Sequence, residues 1–383
     1  MDKPTVQDIF HRFYPAYLDQ YSPSPVQAKV AHNIMNCKTG DYGANVCVCE
    51  DCGFVQIHYN SCRNRCCPMC QAVPKEMWMD ARREDVLDAP YFHLVFTVPD
   101  ILNPVIYSNQ RLLYDALYHA ASSTISELTA DPKHLGAKVG YICILHTWGS
   151  EMNFHPHIHT ILLGGGLASN NQWKDNGENF FLPIRVISKM FRGKYLEELK
   201  RLWEEDKLVF HGTAEKFRNH YTFKELLDSC YGMDWIPHCK KTFNGAQTVI
   251  KYLGKYTHRI AVSNHRIVRM DDDTVTFLVK DYRNEGQWKE LTISGVEFVR
   301  RFLMHVPPRR FVRIRHYGLL CSRTKSQKLT LCRNLLGCKK YLSKLRDMEM
   351  PEILEHLYGI KVCVCKACGG HLGKPQMRMP LRC

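Results

Sequence analysis

The 383-residue chain has no apolar run approaching the ~18 residues of a membrane-crossing helix, and its start, MDKPTVQDIFHRF, has no hydrophobic signal region. A membrane-embedded or exported protein is therefore not expected; a cytoplasmic one is. The chain has no G-x-x-x-x-G-K-[ST] phosphate loop, so nothing in it calls for ATP. It also lacks internal repeats and low-complexity tracts, and 45% hydrophobic with 23% charged residues excludes wholesale disorder. The most local absence is of acid: from Arg300 to Arg346 there are 14 Lys or Arg and no Asp or Glu. Taking those 14 from the 52 Lys and Arg leaves a basic count equal to the 38 Asp and Glu, so the net charge of +14 belongs to this one segment. Nucleic acid is the expected partner, and no basic amphipathic helix points to a membrane surface instead. Within the segment Arg309, Arg310, Arg313, Arg315 and His316 interleave with Phe311 and Tyr317, as a surface for single-stranded or distorted DNA would.

Cysteine, by contrast, is plentiful and uneven. Eight of the 18 fall between Cys37 and Cys70, and Cys363, Cys365, Cys368 and Cys383 close the chain. In a reducing compartment such clusters read as metal sites rather than disulfides. Cys49-x-x-Cys52 and Cys67-x-x-Cys70 are two knuckles 14 residues apart, each delivering two sulfurs from one tight bend, and together they predict a tetrahedral zinc site. Cys37, His58, Cys62 and Cys66 are left to complete a second. At the other end Cys363, Cys365, Cys368 and Cys383, with His371, Cys332 and Cys338 as alternative partners, suggest a further zinc. Closed four-ligand sites leave no position for water or substrate, so the zinc is expected to be structural.

Between these knots the texture changes. Tyr91–Val98, Val139–His146 and His157–Leu163 read as strands, the last two as a hairpin; Asn103–Ala130, Lys189–Leu208, Phe223–Tyr231 and Asn244–Thr257 read as helices. Two further hairpins are expected over Arg259–Met270 and Thr274–Ile293, turning near Ser263–His265 and Asn284–Gly286, and helix after His316. Asp271–Asp273 reads as a solvated turn rather than an acidic catalytic cluster. The expected units are residues 1–90 (helical and zinc-binding), 91–298 (an antiparallel sheet with helices), 299–362 (basic and helical) and 363–383 (cysteine-rich).

Two patterns carry chemistry. In FHPHIHT (154–160), strand alternation puts His157 and His159 on one face and Ile158 on the other, a ready half-site for a divalent metal. Downstream, Tyr252-Leu-Gly-Lys-Tyr256 places two phenols at i and i+4 on one helix face, with Lys251 and Lys255 alongside to counter phosphate charge. A metal that polarises a phosphodiester and a tyrosine that attacks it make a phosphoryl-transfer site.

These motifs resemble the HUH endonuclease superfamily of rolling-circle replication initiators, conjugative relaxases and certain transposases. More narrowly, the chain resembles the two-tyrosine transposases of rolling-circle insertion sequences. SCRNRCCPMCQ (61–71), LHTWGSEMNFHPHIHTILLGGG (145–166), KYLGKYTHRIAVSN (251–264) and FVRRFLMHVPPRRFVRIRHYGLL (298–320) occur in that family's order. The resemblance implies an α+β, ferredoxin-like nuclease core with Mg or Mn held by His157, His159 and a third residue. His146 is the expected third ligand, with Glu151 and His155 as competitors. It implies attack by Tyr252 or Tyr256 on single-stranded DNA, leaving a 5′-phosphotyrosine and a free 3′-OH, with Lys255 favouring the phenolate. The family often has His where Cys66 stands here. A plasmid or phage replication initiator or relaxase would share the nicking chemistry. A zinc-finger DNA-binding protein with a dead nuclease centre would not.

Overall fold

The computed structural model describes residues 3–176, 182–235, 237–243, 249, 254, 261–281, 284–373 and 377–379. Two capped helices open the chain. α1 (Val6–Leu18) starts at Thr5, whose hydroxyl accepts from the Asp8 amide while the Asp8 carboxylate accepts from the Thr5 amide. α2 (Pro25–Met35) repeats the device with Ser24 and Gln27 and puts a proline in its first turn. β1 (Ala44–Val48), β2 (Val55–Tyr59) and α3 (Ala72–Arg83) follow. The middle of the chain is β3 (Tyr91–Thr97), α4 (Asn103–Ser108), α5 (Gln110–Ala130), β4 (Lys138–Trp148), β5 (Phe154–Leu167), β6 (Trp173–Asp175), α6 (Ile184–Glu204), α7 (His220–Gly232) and β7 (His238–Phe243). Then come β8 (Ile267–Met270), β9 (Thr274–Asp281), β10 (Gln287–Ser294), α8 (Gly295–Met304), β11 (Ile314–Gly318), α9 (Lys325–Leu336), α10 (Met350–Tyr358) and β12 (Met377–Met379).

The main sheet runs β11–β4–β5–β3–β7, antiparallel throughout, with β6 paired to the end of β5. Alternation sends Phe92, Leu94, Phe96, Tyr141, Cys143, Leu145, Ile158 and Leu162 to one face, where they pack on residues of α5–α7 such as Tyr114, Leu117, Phe191, Tyr195 and Phe223. Tyr91, Ile142, Ile144, Ile161 and Leu163 face the other way, against Met79 of α3 and Leu329 and Cys332 of α9. β11 closes one edge, and the approach is tight. Gly318 has φ +60, and a Cβ there would stand 1.8 Å from the Val139 carbonyl oxygen, so no other residue fits.

A second core is assembled from distant parts of the chain. Phe10 and Phe13 of α1 and Ile34 of α2 pack with Phe277 of β9 and with Phe298 and Phe302 of α8, and the cluster reaches Cys66, Cys67, Trp148 and Met152. The opening helices therefore share their core with residues 261–306 rather than with the cysteines alone. The meander β8–β9–β10 turns at Asp271–Asp273, where Arg12 of α1 bonds Asp272, and not near Ser263–His265, which forms part of a short 3-10 turn.

The basic segment is no independent helical unit. The expected boundary after residue 298 falls inside α8, and β11 belongs to the main sheet. Several of its cations are spent on acids elsewhere in the chain. Arg300 and Arg301 pair with Glu297 at 2.6 and 2.7 Å, Lys325 with Asp85 at 2.8 Å, Arg346 with Glu84 at 2.5 Å, and Arg315 with Asp115. The firmest anchor is Asp80 on α3, 5% exposed, whose carboxylate accepts from Tyr341 Oη (2.6 Å), Ser343 Oγ (2.5 Å) and the Leu345 amide (3.0 Å). Burial alone would raise its pKa, but these bonds hold it below the ordinary carboxylate value. Replacing Asp80 by Ala strands three donors in a half-buried site. The expected result is a loss of about 3 kcal/mol in denaturant unfolding, with early proteolysis around 339–346. An unchanged unfolding midpoint would show that the anchor contributes nothing.

Candidate metal centres

β5 and β4 place His157 directly opposite His146, and His159 opposite Ile144. All three imidazoles thus reach one face of the sheet, each with a ring nitrogen within 4.8 Å of the others, and all are buried or nearly so. The His157 and His159 rings meet at a centroid separation of 4.8 Å, and His146 lies 4.6 Å from His159 and stacks on Trp148. His157 Nδ1 donates to the His155 carbonyl at 2.7 Å, which leaves Nε2 with its lone pair, 3.1 Å from His159 Nε2. Burial holds the His157 pKa down to about 4, so the ring is neutral and able to ligate. Two nitrogens bound in adjacent positions at ~2.1 Å from one ion sit about 3 Å apart, so the observed separation suits a shared cation.

The competitors for the third position are directed elsewhere. His155 bonds Asp100 at 3.2 Å, and Glu151 is exposed in the β4–β5 turn. That turn is held from the second core. Arg266 donates to the Ser150 carbonyl (2.6 Å), Arg301 to that of Glu151 (2.9 Å) and His305 to that of Met152 (3.0 Å).

A fourth histidine escaped the sequence reading. His93 on β3, 4% exposed, has Nε2 2.9 Å from His159 Nδ1, on the side away from His157. Burial, with His238 and His157 nearby, lowers its pKa to about 3, so it stays neutral. A cation on His159 Nε2 requires a proton on Nδ1, and His93 Nε2 is placed to accept it, fixing tautomer and ring angle. The available signal was a lone histidine inside the largely apolar strand YFHLVFTV. His93→Ala is expected to weaken divalent-ion binding ~10–100-fold by calorimetry without unfolding the protein. Affinity within twofold of the parent would remove the orienting role.

The cysteines group differently from their spacing. Cys37, Cys62, Cys67 and Cys70 converge, with Cys70 Sγ 3.5 Å from Cys37 and 3.6 Å from Cys62. Thiolates ~2.3 Å from a tetrahedral zinc lie about 3.8 Å apart, so the set fits the ion. Bonds from Cys62 and Cys67 pull the Cys70 thiol below its ordinary value, the direction that favours a thiolate ligand. Cys49 and Cys52 do not join Cys67 and Cys70 as expected; they meet Cys365 and Cys368. The spacing was misleading because a C-x-x-C turn fixes its own two sulfurs and says nothing about its partner. Cys66 is buried beside Arg65 and Arg313 and its thiol is pushed up by burial, while His58 contacts Gln56 at 2.7 Å; neither joins a cluster. Cys363 is exposed outside both groups, and Cys383 lies outside the described residues.

Tyr252, Lys255 and Tyr256 also lie outside the described residues. Two neighbours in the same stretch are described. Val249 is buried with Ile144 and Ile161 on the sheet face that bears the histidines, and a Cβ on Gly254 would meet Met79 of the same cluster. Of the basic candidates, Arg309 and Arg310 are exposed on a loop propped by Arg65, which donates to the Phe311 and Pro308 carbonyls at 2.5 and 3.2 Å. Arg313 is half-buried. Arg315 lies 3.9 Å over the Tyr118 ring besides pairing with Asp115, and the half-buried His316 is kept neutral by burial, with a pKa of about 4. Those last two brace the sheet edge. Among the described residues no helix is long and apolar enough to cross a membrane.

Residues 140–328 match the family described as "Putative transposase", and residues 9–98 a transposase zinc-binding domain. "Putative transposase y4qJ" of Sinorhizobium fredii is 40% identical over 369 residues, 95% of this chain and 93% of its own length. The transposase for insertion sequence element IS801 of Pseudomonas savastanoi pv. phaseolicola is 30% identical over 309 residues, 79% of this chain and 72% of its own. Among solved structures, the conjugative relaxase TrwC in complex with oriT DNA aligns with 44% of this chain and 71% of its own at 12% identity. Its TM-score of 0.25 is too low to define a shared fold.

Proposed function

Since the chain belongs to the IS91 family of insertion-sequence transposases, we propose that it nicks and rejoins single-stranded DNA at element ends through a covalent phosphotyrosine. The observation that carries the reading is the trio His146, His157 and His159 on one sheet face. A divalent ion held there would draw charge from a scissile phosphate and so make its phosphorus easier to attack. Three imidazoles without a carboxylate match a transition ion better than Mg2+, so of the two expected ions Mn2+ is the better fit.

The protein's own part in the step begins with Tyr252 or Tyr256. The phenol oxygen forms a bond to phosphorus, the bond from phosphorus to O3′ breaks, and the departing O3′ takes up a proton as the phenol loses its own. A phenol has a pKa near 10, and the charge of Lys255 favours the phenolate. The product is a 5′-phosphotyrosine and a free 3′-OH. Attack of a 3′-OH on the phosphotyrosine reverses the chemistry and rejoins a strand, and a second tyrosine allows a second cleavage while the first is occupied. Val249 and Gly254, placed on the histidine face, support a tyrosine segment that serves this centre. Exposed Arg309 and Arg310, with Lys339, Lys340 and Lys344, offer cations to the DNA backbone. The cysteine clusters provide structural zinc around this HUH-type core.

The test uses purified protein, a labelled single strand from an element end, and Mn2+. The expected product is an adduct that survives denaturation, with the protein joined to the 5′ end of the fragment lying 3′ of the nick. Cleavage giving only protein-free 5′-phosphate ends, or no cleavage at all, overturns the reading.

A further inference from the structure

We propose that Cys49, Cys52, Cys365 and Cys368 bind a second zinc ion as one ribbon assembled from the two ends of the chain, a site that neither end contains alone. The two halves are built alike. Each is C-x-x-C-Gly, and each glycine has positive φ, +72 at Gly53 and +76 at Gly369. The Gly53 amide donates to the Cys49 carbonyl at 3.0 Å, and the Gly369 amide to the Cys365 carbonyl at 2.9 Å. The Cys49 amide donates to Phe54 O at 2.9 Å, and the Cys365 amide to Gly370 O at 2.8 Å. Such a knuckle aims two sulfurs at one point and turns amides toward them; the Ala367 and Gly370 amides each donate to a sulfur at 3.4 Å.

The halves also meet at the separation an ion requires. Cys49 Sγ lies 3.5 Å from Cys368 Sγ, and Cys52 Sγ 3.7 Å from Cys365 Sγ, against about 3.8 Å for the edge of a zinc–thiolate tetrahedron. Backbone pairing brings them there. β12 adds to β1 with Ala44 opposite Met379, Cys49 bridges Leu372, and the Gly373 amide donates to Val48 O at 3.2 Å. Among the described residues the apolar support for this sheet is small. The buried cluster beneath it is Cys47, Cys49, Cys365 and Leu372, far too small a core to order two chain ends. The ion supplies what that core lacks, and it closes a loop of 319 residues from Cys49 to Cys368. Cys52 and Cys368 are exposed, so this ion should leave before the one at Cys37, Cys62, Cys67 and Cys70 when a chelator is added.

Zinc is counted per chain on full-length protein after gel filtration, independently of any nicking. Cys365→Ser with Cys368→Ser is expected to lose one ion relative to the parent. Cys49→Ser with Cys52→Ser is expected to lose one as well, and all four changes together still only one. That non-additivity is the mark of a shared ion. Retention of the full count after the C-terminal pair is changed, or loss of two ions in the quadruple variant, overturns the proposal. Because serine variants could fail to fold, Cys368→His gives a second measurement. It keeps a zinc ligand, so the count is expected to hold while the visible absorption of the cobalt-substituted protein shifts. An unshifted cobalt spectrum removes Cys368, and with it the shared site.

Discussion

Changing Tyr252 and Tyr256 together to Phe should abolish covalent protein–DNA adducts while leaving single-strand binding within about twofold of the parent. Phenylalanine keeps the ring and removes only the oxygen that would bond to phosphorus, so the packing of the segment is preserved and the nucleophile is not. Each single variant separates the two roles. With one phenol left, a first cleavage and its adduct should persist, but the exchange that needs two successive attacks should fall by an order of magnitude or more. The assay is a denaturing gel of labelled strand for the adduct and a joined-strand product for transfer. An adduct formed by the double variant at even a tenth of the parent yield would assign the nucleophile elsewhere.

Changing His157 and His159 to Ala should lower cleavage by ~10³-fold or more, since charge stabilisation at the phosphate is lost outright. Two nearly buried rings are removed, so a stability loss of about 2–5 kcal/mol is expected as well, and it must be measured beside the rate. The distinction lies in DNA binding and near-UV circular dichroism. Both should be retained at a temperature well below the new unfolding midpoint, because β5 keeps its pairing with β3 and β4 through the backbone. A variant that is folded and still cleaves within tenfold of the parent would make the trio a packing feature only. A variant that cannot be recovered folded is replaced by His159→Asn, which keeps a polar side chain and should show the same loss of rate.

The histidine pair was legible in the sequence because strand alternation is a local rule: residues two apart share a face whatever the rest of the fold does. His146 was legible because the hairpin that pairs it with His157 is local too. His93 was not, since its meeting with His159 depends on a strand pairing across 66 residues of sequence. The same limit explains the cysteines. Each C-x-x-C turn could be read by itself, but Cys49 and Cys52 find partners more than 300 positions away, and the nearer pair at Cys67 and Cys70 was the natural local choice. Charge counting failed differently. It located the cations of residues 300–346 correctly but could not see Asp85, Glu84, Asp115 and Glu297 folded against them. The cations proposed to meet DNA are a subset, the exposed Arg309 and Arg310 among them.

The edge position of β11 has a consequence for how the protein is made. β4 ends at Trp148, and the strand that covers its open side, Ile314–Gly318, is about 170 residues further along. At a synthesis rate of ~5–20 residues per second, the growing chain carries an uncovered 11-residue strand, most of it apolar or aromatic, for roughly 10–30 s. An exposed edge of that kind is a template for pairing with another chain. Newborn protein should therefore be most prone to aggregate when translation stalls between β5 and β11, and C-terminally truncated products should be insoluble rather than merely inactive.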